Sequence, residues 1–263
     1  MTGAIPLSSL RLRWEPAPSI LETEAVVLRV FPFSRTSNMV AWLTREGRRL
    51  VTSVKGAQRP DSPFLGQYDL FYRCALLYYA RSRDGVHVAR ECEALARRDA
   101  QRSNWRAERC ASWFAALADL VADADAPAPG LYRLLDETLD ALASCDGPPP
   151  PALFARYEAR LLREAGLAPN FGSGPERGGG ALRFDLAEGR SIGPDERSAR
   201  AVRLPPGLPA LFESLLPGGA PAAATASATS ASLLRFLGLF IRFHLPDAPV
   251  AGRALAVESL GVL

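Results

Sequence analysis

The sequence is short of lysine, histidine, paired cysteines and long apolar runs. Among 263 residues there is one lysine, Lys55, beside 30 arginines, and there are two histidines, His87 and His244. The four cysteines, Cys74, Cys92, Cys110 and Cys145, are 18, 18 and 35 positions apart, with no C-x-x-C pair. Structural zinc is usually held by close ligand pairs on short loops, so this spacing points to buried free thiols. Residues 1–20 contain Arg11, Arg13, Trp14 and three prolines, and no unbroken apolar segment follows them. Neither a signal sequence nor a membrane span is expected, and the expected location is the cytoplasm. Gly178-Gly179-Gly180 lacks the Lys-Ser/Thr of a phosphate loop. Asp123 with Asp125, and Asp136 with Glu137 and Asp140, have no spacing that converges on a metal. His87 in a strand and His244 at a helix end read as structural or surface histidines. An enzyme is therefore not expected.

The rest is the composition of a folded protein, 48% hydrophobic and 22% charged, enough for one large domain or two small ones. Alanine fills 43 positions, which with the arginine excess reads as a GC-rich coding bias and leaves Lys55 as the exception. The net charge of +3 does not by itself demand a polyanionic partner. Its distribution says more: 11 arginines and Lys55 face seven acids up to residue 85, whereas 19 arginines face 21 acids beyond it. Such asymmetry fits one module that meets nucleic acid and another that carries scaffold contacts.

From Glu24 the pattern is of short strands. Val26, Leu28 and Val30 alternate with Val27, Arg29 and Phe31 before Pro32, and Met39 to Thr44 resumes the strand character. Arg45-Glu46-Gly47 is a turn into Arg48 to Val54, and a Gly/Pro-punctuated loop runs from Lys55 to Pro63. Tyr68 to Tyr79 reads as a long aromatic strand, and Asp84-Gly85 turns into Val86 to Ala89. Five strands without intervening helical periodicity predict a small barrel, most simply an OB-fold, with an SH3-like barrel as the other solution.

After Leu95 the period becomes helical. Cys110, Trp113, Phe114, Leu117, Leu120 and Val121 share one face, and Leu131, Leu134, Leu135, Leu139 and Leu142 share another. A third helix opens at Pro148 to Pro151 and is capped at Gly166. Residues 169–204 read as an irregular, glycine-rich excursion with one strand-like patch, Ala181 to Leu186. A weak helix follows over Leu208 to Leu216, then a flexible Ala/Pro/Ser-rich loop at 217–230. Leu233 to His244 closes the bundle, and a last short helix is expected from Gly252 to Leu260. The predicted fold is α+β: an N-terminal extension (1–21), a five-stranded OB barrel (22–92) and an all-helical domain (93–263).

Binding residues are better defined than catalytic ones. Lys55, Arg59, Arg48, Arg49, Arg35 and Arg45 lie on or beside adjacent strands, where folding would gather several cations on one face, each able to neutralise a phosphate. Phe31, Phe33, Trp42, Phe64, Tyr68, Phe71 and Tyr72 are either barrel core or stacking platforms. Phe33 and Phe64 are the better exposed candidates because they occupy loops.

These same residues carry a resemblance. Glu24-Ala25-Val26-Val27-Leu28-Arg29, Phe33-Ser34, Leu43-Thr44-Arg45-Glu46-Gly47-Arg48, and above all Val54-Lys55-Gly56-Ala57 with Ser62, resemble the N-terminal barrel of the bacterial recombination mediator family RecO. The likeness continues through Phe154-Ala155-Arg156-Tyr157-Glu158 and Leu161 to Phe171, and reaches Leu234-Arg235-Phe236 and Arg253. It implies an OB-fold, a helical second domain and no catalytic centre. It also implies binding of single- and double-stranded DNA, strand annealing, engagement of the C-terminal tail of single-stranded DNA-binding protein, and action with RecR in recombinase loading. On this chain the DNA contacts become Lys55 and Arg59 first, then Arg48, Arg49 and Arg35. No cofactor is implied, and the location is cytoplasmic, beside the nucleoid.

The chain departs from the family in three places. Many members hold four cysteines as a zinc module after the Asn-Phe matching Asn170-Phe171. This sequence has none there, although Leu182 to Asp185 and Glu188-Gly189-Arg190 keep the outline of its hairpin, so loss of the metal is expected. An acidic residue common after the first strand is replaced around Arg35-Thr36-Ser37, and a Lys-Ser-Arg near the C-terminus is reduced to Ala251-Gly252-Arg253. A partner tail ending in phenylalanine needs an apolar pocket and a cation for its carboxylate, which Arg106, Arg109, Arg156 or Arg160 could supply. The alternative to a DNA mediator is an OB-fold adaptor that meets proteins and binds DNA weakly or not at all.

Overall fold

Strand β1 (Ile20–Pro32) is long enough to serve two neighbours. Its second half pairs with β2 (Asn38–Thr44), its first half with β4 (Arg73–Tyr79), and it bends where the register shifts between Val27 and Arg29. β3 (Arg49–Val54) pairs antiparallel with β2 and parallel with β5 (Val86–Ala96), which pairs in turn with β4. The order β1-β2-β3-β5-β4 thus returns to β1 as a closed barrel, as the sequence predicts. The computed structural model describes residues 19–81, 85–172, 181–216 and 227–261.

Side-chain alternation decides which face each residue serves. Val27, Val40, Trp42, Leu50 and Val54 fill the barrel together with Phe64 and Tyr72. Their neighbours Val26, Leu28, Ala41 and Leu43 point the other way and join the core of the helices. The barrel wall is therefore apolar on both sides where helix α2 covers it.

The helical region comprises α1 (Asp99–Ser103), α2 (Trp105–Val121), α3 (Pro129–Ala143), α4 (Pro151–Glu164), α5 (Leu208–Leu215), α6 (Ser227–His244) and α7 (Val250–Glu258). The Asn104 side chain caps α2 by accepting from the amides of Arg106 and Ala107. Pro129 and Pro151 open α3 and α4, where a missing N–H costs nothing. Trp113, Phe114, Leu117, Phe154 and Tyr157 are fully buried, and such burial contributes about 1.5–3 kcal/mol for each large apolar side chain.

Between α4 and α5 lies a three-stranded sheet, β7 (Arg190–Ser191), β6 (Leu182–Asp185) and β8 (Ala201–Leu204), in that spatial order. Phe171, Phe184, Phe212, Phe236 and Phe240 hold it to the helices with ring centroids 5.2–6.1 Å apart. This corrects the expectation of an irregular excursion over 169–204: the described part is a folded sheet seated on an aromatic cluster.

Other boundaries move as well. Residues 1–18 of the expected extension lie outside the described residues, and Ile20 and Leu21 belong to β1. Residues 68–72 are turns, with Phe71 at φ 69°, so the fourth strand starts only at Arg73. β5 runs to Ala96, past the expected barrel limit at 92. Of the loop expected at 217–230, residues 217–226 lie outside the described residues and 227–230 are already α6.

Barrel and helices are joined by polar contacts at two places. Arg98, at φ 55° and almost fully buried, donates to the Phe71 carbonyl (2.7 Å) and to Asp140 (2.7 Å), and also binds Asp136. Asp136 is shared with Arg73 at 2.7 Å, Arg73 reaches Glu24, and Tyr132 donates to Glu24 at 2.8 Å. Burial and the Glu24 hydrogen bond push the Tyr132 phenol well above its ordinary value, so it acts as a neutral donor. At the second place Gly47, at φ 76°, abuts the Ala128 backbone so closely that no Cβ fits.

Candidate nucleic-acid interface

The cations singled out in the sequence fall into two groups. β3 delivers the chain to Lys55, where a run of turns, 55–67, begins. This connection is tied to the β1–β2 turn. The Gln58 amide donates to the Thr36 carbonyl at 3.1 Å, the Gln58 side chain to Asn38 at 2.7 Å, and Asn38 to the Tyr68 hydroxyl at 2.9 Å. Phe64 anchors the connection from below as part of the barrel core, which corrects its expected role as an exposed platform. Tyr68 sits 6.1 Å from Trp42, and burial raises its phenol above the ordinary value against the opposing Asn38 bond.

Above this anchored base, Arg35, Lys55 and Arg59 are all exposed, and none has an acidic partner among the described residues. The Arg59 stem lies over Gly56, about where a Cβ there would touch it at 3.6 Å. Phe33 and Leu65, 67% and 66% exposed, belong to the same two connections as these cations, and Phe31 carries the Arg29 guanidinium 6.0 Å from its ring. Unpaired cations beside solvent-facing apolar groups suit a flexible polyanion that also has flat bases.

Arg48 and Arg49 do not belong to this group, contrary to their selection as DNA contacts. They lie across the barrel from it, after the β2–β3 turn, and face the C-terminal end of α2. Arg48 donates to the carbonyls of Ala124 (3.1 Å) and Asp125 (2.5 Å). Arg49 pairs with Asp119 at 2.6 Å, and its amide donates to the Asp123 carbonyl. Asp119 also holds Arg29 at 3.4 Å, and Arg45 faces Glu24 at 3.6 Å. Arg29, Arg48 and Arg49 thus attach barrel to helices, while Arg45 is held within the barrel. Sequence alone does not separate the two groups, because the acids and carbonyls that engage Arg48 and Arg49 lie some 70–80 positions away.

The expected tail-binding arginines also divide. Arg106 and Arg109 stand 4.9 and 4.7 Å from the ring of Trp105 at the start of α2, and Arg106 donates to the Ser259 carbonyl. Arg156 and Arg160 lie one turn apart on α4, half-buried, with Glu137 4.0 Å from Arg160 and the Arg160 Nε buried without a partner. Burial, followed by the neighbouring Arg160, depresses the Arg156 guanidinium below its ordinary value, and Glu137 opposes this.

Arg253, a remnant of the shortened C-terminal motif, has a role that sequence reasoning missed. It makes two hydrogen bonds to the fully buried Glu158, at 2.7 and 2.8 Å, and one to the Leu234 carbonyl, while Trp113 donates to the same carboxylate at 2.9 Å. Its signal was present in the Phe-Ala-Arg-Tyr-Glu run, whose last member is that glutamate. No group of three or more His, Cys, Asp or Glu side chains able to hold a metal occurs among the described residues. The cysteines are free; Cys74 and Cys92 are neighbours in the barrel and both donate to the Gln67 carbonyl, while Cys110 and Cys145 lie in the helical region.

A closed five-stranded barrel, with Arg35, Lys55 and Arg59 exposed at one end and without acidic partners among the described residues, is fastened to a helical bundle along α2 and at both ends, which defines a class: OB barrels mounted on a helical scaffold. The chain belongs to the RecO family, for residues 102–253 match the family described as Recombination protein O C terminal. It is similar to the DNA repair protein RecO of Exiguobacterium sibiricum, with 30% identity over 149 residues, 57% of this chain and 58% of that protein. It is likewise similar to the protein of that name from Rhodopirellula baltica, with 34% identity over 147 residues, 55% and 53% of the two chains. These matches span little more than half of either relative. That from Azoarcus sp. is 28% identical over 243 residues, 91% of this chain and 96% of the relative. No helix among the described residues is long and apolar enough to cross a membrane.

Proposed function

We propose that this protein is a non-enzymatic mediator of DNA repair and homologous recombination, which binds single- and double-stranded DNA through the barrel and anneals complementary strands. The observation that carries the reading is the group Arg35, Lys55 and Arg59, exposed, unpaired and mounted on hydrogen-bonded turns in a chain related to proteins named for DNA repair. Two strands brought to one basic surface have their mutual repulsion screened, so pairing nucleates with no bond made or broken by the protein. Partners are RecR and the acidic tail of single-stranded DNA-binding protein, received by the helical domain, where Arg156 with the unsatisfied Arg160 Nε offers a partly desolvated carboxylate site. The protein works in the cytoplasm beside the nucleoid.

Three phosphate contacts on a single strand imply a log affinity against log salt slope of roughly −2. Lys55→Glu should weaken binding at every sequence tried and flatten that slope. An affinity independent of salt would refute the reading. It would favour instead the protein-binding adaptor, the reading supported by the engagement of Arg48 and Arg49 in the joint.

A further inference from the structure

Trp105 is 51% exposed, whereas Trp42 and Trp113 are 0% and 1% exposed. The guanidinium groups of Arg106 and Arg109 lie 4.9 and 4.7 Å from its ring, and half of the residue still faces solvent. Neither arginine is paired with a described acid. The nearby acids are Glu108 on the same helix and Asp146 on the far wall of an adjoining cavity of about 470 Å³, which Ser103, Asn104 and Cys145 also line.

The strand directions place this group at the Lys55 end of the barrel. β3 and β5 run parallel, so both deliver the chain to the same end, the first into Lys55 and the second into α1. Arg102 of α1 pairs with Asp69 at 2.6 Å and lies 5.3 Å from the Tyr72 ring, which fastens α1 to the connection that carries Lys55 and Arg59. From there α2 runs about 25 Å, at 1.5 Å per residue, to the opposite end, where Asp119 holds Arg49.

We infer that Trp105 is a second contact for single-stranded DNA, a platform on which one base stacks while Arg106 and Arg109 follow the adjacent phosphates. This rests on the barrel reading above and extends its footprint onto α2. A cationic aromatic face at the same end as the barrel's exposed cations suits a base and its phosphate. An acidic tail with a terminal aromatic residue would need an apolar hole, whereas the adjoining cavity mixes Ala100, Ala143 and Pro148 with Ser103, Asn104 and Asp146.

The test uses the full chain with labelled oligo-dT of about 6 and about 25 nucleotides, the shorter within the reach of one barrel. Trp105→Ala should weaken the long strand roughly ten-fold and leave the short one unchanged, and Trp105→Tyr should retain most of the affinity. In a Trp14→Phe background the long strand should quench the indole emission and shield it from iodide. Unchanged long-strand affinity in Trp105→Ala, or quenching by an acidic peptide ending in phenylalanine but not by DNA, overturns the platform. Lys55→Glu separates the two readings. If it leaves short-strand binding intact, the barrel reading fails whatever Trp105 does; if it acts and Trp105→Ala does not, the platform alone fails.

Discussion

Arg253→Ala should be among the most damaging single changes in the protein, although the residue belongs to none of the proposed DNA contacts. The substitution removes both hydrogen bonds to Glu158 and leaves that carboxylate, fully buried, with only the Trp113 indole as donor. Breaking a buried pair from one side costs about 3–5 kcal/mol, because the remaining charge keeps its desolvation penalty without compensation. Set against a total stability of about 5–15 kcal/mol, this is a large fraction. Glu158→Gln with Arg253→Met removes both charges and keeps an acceptor for Trp113, so the double variant should lie within about 1 kcal/mol of the parent. Gly238 supplies an independent arm. A Cβ there would fall 2.5 Å from the Arg253 Nη1, so Gly238→Ala should destabilise despite the better helix propensity of alanine, and should become harmless once Arg253 is alanine. Urea unfolding of the four single and double variants reads all of this. A loss under 1 kcal/mol for Arg253→Ala, a loss of several kcal/mol in Glu158→Gln/Arg253→Met, or costs of Gly238→Ala and Arg253→Ala that simply add would refute the argument.

Four further outcomes follow from the structure. Gly47→Ala must adopt a left-handed backbone and also displace the Ala128 carbonyl, so unfolding measurements should show a loss of about 2–4 kcal/mol. Lys55→Arg should bind and anneal DNA less well than the parent if a compact ammonium is what the phosphate contact requires, and equal binding in a filter assay would make the lone lysine an accident. Burial lowers the His87 imidazole below its ordinary 6.5, and its Nδ1 accepts from the Arg81 amide; NMR titration should show a midpoint below that value. The unfolded chain then binds the proton first, so His87 costs stability as pH falls through about 6.5, and a midpoint at or above 6.5 would reverse the sign. The Cys110 thiol is pushed up to about 12, chiefly by burial, so iodoacetamide at pH 8 should label it only after unfolding, as peptide mass mapping would reveal.

The barrel was legible because its strands alternate, and the helices because their leucines recur at three and four residues. The errors have physical causes. Aromatic residues favour strands but also plug barrels, and nothing local separates Tyr68 to Tyr72, which turn, from Arg73 to Tyr79, which pair. β5 beyond Ala89 has no β-branched residue; its pairing with β4, which supplies its order, is non-local. The small sheet went unread because the phenylalanines that hold it come from four separate segments, and only Phe236 and Phe240, one turn apart on α6, share a local period. At the candidate interface, Lys55, Arg59 and Arg35 were identifiable by their loops. Separating them from Arg48 and Arg49 required the acids and carbonyls that only folding brings near. Arg98, the most buried cation of the joint, gave no local sign of its role.

The two sheets differ in their exposure to self-association. The five strands of the barrel return on themselves, with β3 joined to β5 over Val51–Ser53, so the barrel offers no full-length border for another barrel to extend. The sheet β7-β6-β8 does have borders, and β8 offers one at Ala201–Leu204. Arg203 stands exposed in the middle of that four-residue strand and Arg200 just before it. Short length and charge are the usual guards of such a border. Neutralising these two arginines would remove the charge that keeps neighbouring molecules from docking strand to strand, and any resulting polymer would grow from this corner of the molecule while the barrel stayed intact.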